Sequence, residues 1–143
     1  MAGTRQVIPF RVTPVVVDTN VVSFLFKNDS RAQLYLPLLK SRKLLVSFMT
    51  EAELEQWILL AKWGAGRVQR FHEFMTGVAS VPSSRDLILR WAEVMVAART
   101  NGRRIETADA WIAATALLYG AALVTHNPTD YMGVPNLRVL SCA

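Results

Sequence analysis

Apolar residues along this chain alternate between two rhythms. Short continuous runs, Val15 to Val17, Leu44 to Phe48, Val78 to Val81, Ala122 to Thr125 and Leu137 to Leu140, read as strands. Three β-branched residues in succession, as at Val15 to Val17, are the pattern of a strand buried on both faces. Between these runs the spacing turns helical. Asn20 to Phe26 predicts a short helix, and Ser30 to Ser41 a second that Pro37 should bend. Thr50-Glu51-Ala52-Glu53 opens a strong helix with Leu54, Trp57, Ile58 and Ala61 on one stripe, and Gly64 and Gly66 punctuate its end. Further helices are expected over Arg67 to Met75, over Asp86 to Thr100 and from Glu106 to Leu118, the last two stopped by Asn101-Gly102 and Gly120. The order is βαα-βαα-βαα-βαβ. Strands alternating with helices predict an α/β domain of three layers around a central, mostly parallel sheet with right-handed crossovers.

Length and composition narrow this further. A chain of 143 residues, 52% hydrophobic and 19% charged, fits one domain with a sizeable core and excludes general disorder. The reading is an N-terminal arm over residues 1–13 and a folded domain over residues 14–143. No apolar run reaches the eighteen or so residues of a membrane span, and the first fourteen residues hold no continuous apolar segment of a secretory signal. The one cysteine, Cys142, excludes an internal disulfide framework and suits a reducing cytoplasm. A net charge of +5 favours a polyanionic partner. Its basic clusters fall at Lys40, Arg42 and Lys43, at Arg67 and Arg70, and at Arg99, Arg103 and Arg104, each at a helix end or connection.

The chemistry lies in three acids. Asp18 ends the first strand, where open α/β sheets place their sites. Glu53 stands in the first turn of the helix after the second strand, and Asp109 in the first turn of the helix before the fourth. Each has a local explanation: Asp18 as an N-cap, Thr50 and Glu53 as a capping box, Asp109 as a charge favoured by the helix dipole. Together they crowd negative charge into one volume, which a cation must offset or shifted pKa values must accommodate. Hard oxygen ligands without a His or Cys cluster select Mg²⁺ or Mn²⁺ over zinc. Thr125 and Asn127 leave the fourth strand toward the same edge and add a hydroxyl and an amide. His126 is expected to point the other way, and Asp130 to cap a proline-containing turn.

The blocks Val16-Val17-Asp18-Thr19-Asn20, Thr50-Glu51-Ala52-Glu53-Leu54, Asp109 to Ala116 and Val124 to Tyr131 resemble, in order and spacing, a PIN domain, and within that superfamily the VapC-like toxin ribonucleases. The resemblance implies a PIN-like fold, with Asp18, Glu53 and Asp109 as a catalytic triad and Asp18 and Asp109 as ligands of Mg²⁺. Asn20, Thr125 and Asn127 would be supporting residues. Asn127 stands where many members carry a fourth acid. The activity implied is a metal-dependent endoribonuclease with an RNA substrate, a cognate antitoxin and a homodimer through the Trp57, Trp63 and Phe71 region. Lys43, Arg99, Arg103 and Arg104 would follow the RNA backbone. A processing nuclease without antitoxin and an inactive RNA- or protein-binding module are the alternatives. A receiver domain lacks its acid at the third strand, and a haloacid-dehalogenase-like phosphatase lacks its second aspartate, which is Asn20 here.

Overall fold

The computed structural model describes residues 13–143, so the expected arm, apart from Thr13, lies outside the described residues. Five strands form one sheet: β1 (Pro14–Val17), β2 (Lys43–Ser47), β3 (Ala79–Val81), β4 (Ala122–Val124) and β5 (Val139–Leu140). Their order across the sheet is β3-β2-β1-β4-β5, and every pairing is parallel. Helices α1 (Thr19–Lys27) and α2 (Ala32–Leu39) connect β1 to β2, α3 (Phe48–Leu60) and α4 (Ala65–Met75) connect β2 to β3, and α5 (Arg85–Thr100) and α6 (Thr107–Leu118) connect β3 to β4. A 3₁₀ turn, Pro128–Tyr131, stands between β4 and β5.

The alternation along each strand divides the core in two. Val16, Leu45 and Leu123 face one layer, packed with Leu87 and Val94 of α5 and the alanine-rich face of α6. Val15, Val17, Val46, Ala122 and Val124 face the other, packed with Val21, Tyr35, Leu54 and Phe71 of α1 to α4. Burial on both faces is why these strands carry continuous apolar runs. The three-layer α/β/α arrangement matches the expectation from the sequence.

The chain leaves β1 toward β2 in one direction and reaches β4 on β1's other side. The carboxyl ends of β1 and β4 therefore flank the point where strand order reverses, the usual crevice of such sheets. Two helix boundaries bear on that crevice. Asp18 caps α1, its Oδ1 accepting from the Thr19 N–H at 2.7 Å. The second boundary differs from the expectation: α3 begins at Phe48, capped by the Ser47 hydroxyl accepting from the Met49 N–H at 3.1 Å. Thr50 therefore lies inside the helix, and no Thr50–Glu53 capping box exists.

Candidate active site

Asp18 is nearly buried at the end of β1, and its two oxygens do different work. While Oδ1 caps the helix, Oδ2 accepts from the Thr125 hydroxyl at 2.7 Å and from the Tyr131 hydroxyl at 3.0 Å. Burial holds the Asp18 pKa above the ordinary carboxylate value despite these donors. The cap and the candidate site role are therefore both present in one side chain.

Asp109 enters from the first turn of α6. The Tyr131 hydroxyl lies 3.4 Å from its Oδ1, so one phenol bridges the two aspartates. Burial, then the negative charges of Asp18, Asp130 and Glu53, push the Asp109 pKa up to about 6. Tyr131 shifts in the same direction, toward its neutral form. Burial and the neighbouring aspartates raise its pKa, so the phenol stays a neutral donor at any physiological pH.

Glu53 projects from the second turn of α3, where its Oε1 accepts from the Thr19 hydroxyl at 2.8 Å. That hydroxyl also lies 3.1 Å from the Thr50 hydroxyl. With no capping box to occupy it, Glu53 is turned toward the start of α1, one residue beyond Asp18. The ion pairs among the described residues, Arg31–Asp29, His72–Glu55 and Arg90–Glu93, involve none of Asp18, Glu53 and Asp109. Neutral hydroxyls orient these acids and leave their charge uncompensated. As a donor set they fit a hard divalent cation. Among the described residues, no three such side chains stand close enough to hold a metal ion as they are, and the hydroxyls engage them instead.

The other expected residues divide. Thr125 is buried and bonded to Asp18; its hydroxyl also accepts from the Asn127 N–H at 3.0 Å. The side chains of Asn127 and Asn20 are exposed and join no hydrogen bond of this network. Asp130 does not serve as the expected cap: its carboxylate lies exposed in the 3₁₀ turn, and its charge is felt at Asp18 and Asp109. His126 turns away from the acids, as expected, and pairs through Nδ1 with the buried Tyr35 hydroxyl, which also lies 3.3 Å from the Thr125 carbonyl oxygen.

Of the basic residues, Lys43 opens β2 and pairs in register with Pro14, at the edge of the sheet opposite the acids. The structure therefore does not bring it to the site. Arg99, Arg103 and Arg104 are exposed around the α5–α6 connection. Arg103 Nη1 reaches Met132 Sδ at 3.5 Å, and Asn101 Nδ2 donates to the Gly133 carbonyl at 3.1 Å, so this loop is tied to the segment carrying Tyr131. Trp57 and Trp63 pack together at the margin of the α1–α4 layer beside buried Phe71. Tyr131 has no role at the site in the sequence expectation, its one signal being its place in the block after β4. Thr19, a small polar neighbour of Asp18 suited to orienting a carboxylate, orients that of Glu53, and Thr50, expected to cap the helix, lies beside it.

The comparisons agree with this geometry. The family model described as PIN domain matches residues 15–130. Ribonuclease VapC1 of Haemophilus influenzae is 30% identical over 132 residues, covering 86% of this chain and 93% of that protein. VapC ribonuclease Y4jK of Sinorhizobium fredii is 32% identical over 127 residues, covering 82% and 89%. Among solved structures, VapBC-1 from nontypeable Haemophilus influenzae superposes with a TM-score of 0.76 at 25% identity, covering 90% of this chain and 98% of that one. VapBC2 from Rickettsia felis, bound to a DNA fragment from its promoter, gives 0.80 at 22% identity, covering 92% and 100%, a likeness of fold. On this evidence the chain belongs to the PIN-domain family, where its relatives are VapC ribonucleases.

Proposed function

We propose that this protein is a divalent-metal-dependent endoribonuclease, with Mg²⁺ as its ion, and the toxin of a toxin–antitoxin pair. The observation that carries the reading is the group of acids at the β1–β4 crevice. Burial and the charges of Asp18, Asp130 and Glu53 raise the Asp109 pKa, and no cationic side chain among the described residues pairs with Asp18, Glu53 or Asp109. Asp18 and Asp109 would hold the ion, with Glu53 beside it. When bound, such an ion supplies Lewis-acid polarisation of a phosphoryl oxygen and a lowered pKa for water.

The chain's own groups have separate tasks. Thr125 and Tyr131 fix the Asp18 carboxylate from two directions, so its orientation does not depend on the ligand. Thr19 holds Glu53 in the crevice. Tyr131 keeps its proton and links the two aspartates. Arg99, Arg103 and Arg104 supply positive charge on the connection beside the Tyr131 segment, suited to phosphates of a bound strand. The expected products carry a 5′-phosphate and a 3′-hydroxyl.

The partner reading rests on the relatives, which crystallise as VapBC complexes. The homodimer face proposed is the end of α3 around Trp57 and Trp63, where Leu59 and Leu60 are 77% and 73% exposed. Cleavage of a total-RNA pool tests the activity. Discrete cuts that need Mg²⁺, stop with EDTA and vanish in Asp18→Asn are expected. RNA bound but uncut in every lane would favour a binding module, and 2′,3′-cyclic phosphate ends would rule out the metal-assisted route.

A further inference from the structure

We propose that Phe48, Trp111 and Trp91 form a stacking platform for one unpaired base of the RNA substrate, beside the acidic crevice. The proposal rests on the ribonuclease reading and extends it to how the strand is seated.

Three rings from three helices make one ladder. Trp91 of α5 and Trp111 of α6 lie nearly parallel, 20° apart with centroids at 5.0 Å. Phe48 of α3 meets Trp111 edge-on at 5.2 Å and 65°. All three are only partly buried, packed against the α5–α6 core with part of each side chain left exposed. Their attachment points tie the ladder to the helices that carry Glu53 and Asp109. Phe48 is the first residue of α3, the helix that carries Glu53, and directly follows the carboxyl end of β2. Trp111 lies two residues beyond Asp109. The Trp91 indole Nε1–H donates to the carbonyl of Thr107, the first residue of α6, at 3.3 Å. That bond pins the outer indole to the same helical turn that presents Asp109.

The geometry suits a nucleobase. A near-parallel indole pair is an offset stack, and a further flat ring can continue it at the same spacing. Every base has such a face, whereas bases in A-form duplex are already stacked, so the platform selects unpaired RNA. Since the three rings are neutral, their contribution is independent of the phosphate contacts assigned to the arginines. Removing a ring should weaken binding without changing its salt dependence.

The test uses a single-stranded RNA that the wild-type chain cuts, with one abasic nucleotide walked along it from the scissile phosphate. One position is expected where the abasic site raises KM about ten-fold for wild type, with kcat little changed. Trp91→Leu should raise the KM of the intact RNA by a similar factor and lose nothing more at that position. Trp91→Phe, which keeps a ring, should recover most of the loss. Phe48→Leu gives a second probe that keeps apolar bulk, and the melting temperatures of the variants report their folding. Penalties that simply multiply at every position, or leucine variants with wild-type KM, would overturn the platform while leaving the nuclease intact. A wild-type chain that neither binds nor cuts any RNA would end the nuclease reading, and the platform with it.

Discussion

Replacing Asp109 by Asn should stabilise the metal-free protein while abolishing its activity. Burial and three neighbouring acids raise the Asp109 pKa from 3.8 to about 6, so the ionised carboxylate is disfavoured in the folded state. A shift of about two units is worth at most about 3 kcal/mol by linkage. Asp109 is only partly buried, and solvent screening reduces that to about 1–2 kcal/mol. The sign follows from the direction of the shift. Below the unfolded value near 4 both states are protonated and the penalty vanishes; it grows as pH rises and is complete above about 6. Asn keeps an acceptor for the Tyr131 hydroxyl and removes the charge. In EDTA at pH 8 the variant should therefore melt about 3–6 °C above wild type, and at pH 4 the two should nearly coincide. Adding Mg²⁺ at pH 8 should raise the wild-type melting temperature and leave the variant nearly unmoved. Thermal unfolding by circular dichroism reads all of these. A variant no more stable than wild type at pH 8, or equally stabilised at both pH values, would refute the claim that the buried, crowded charge of Asp109 weakens the metal-free fold.

Three further outcomes are expected. Tyr131→Phe removes a donor shared by Asp18 and Asp109; kcat should fall about ten-fold or more, and the acid limb of the pH–rate profile should move upward as both carboxylates lose a bond to their ionised form. Gly133→Ala would place a Cβ 2.3 Å from the Arg103 carbonyl oxygen and 2.9 Å from its Cβ, and should cost about 1–3 kcal/mol in urea unfolding as the α5–α6 connection is forced off the Tyr131 segment. Ser47→Ala deletes the cap of α3 and should lower stability by about 1 kcal/mol, with Glu53 less firmly presented and activity reduced in step.

Much of the architecture was legible in the order of apolar runs, because strands buried on both faces leave no alternation to confuse with a helix. Asp18 was legible for the same reason, as the carboxylate on which the first run stops. The start of α3 was not. Phe48 and Met49 look like a continuing strand and Thr50 like a cap, whereas β2 in fact ends at Ser47, whose hydroxyl takes the first free N–H. Lys43 was placed by its charge alone, though a residue opening a parallel strand must lie at the edge opposite the carboxyl ends. Asn20 follows Asp18 closely in sequence, but the turn of α1 carries it to the surface. Tyr131 has no local signal that its phenol folds back over 113 residues to Asp18. Only the approach of the 3₁₀ turn to the crevice creates that contact.

The choice of donors at the crevice explains how one site can be both ordered and unsatisfied. Were Tyr131 or Thr125 replaced by a lysine or arginine reaching the same oxygens, Asp18 would be oriented equally well, but its charge would be neutralised from within the chain. Hydroxyls supply direction without charge. They fix Asp18 and Glu53 at distances of 2.7–3.0 Å, and Tyr131 adds a longer contact to Asp109. The burial and repulsion that raise the Asp109 pKa are left for a proton or a cation to relieve. Near neutral pH protons are too scarce to hold Asp109 protonated against a pKa of about 6, so a divalent cation is the stronger competitor. The same electrostatic cost that weakens the metal-free fold becomes affinity when that cation arrives.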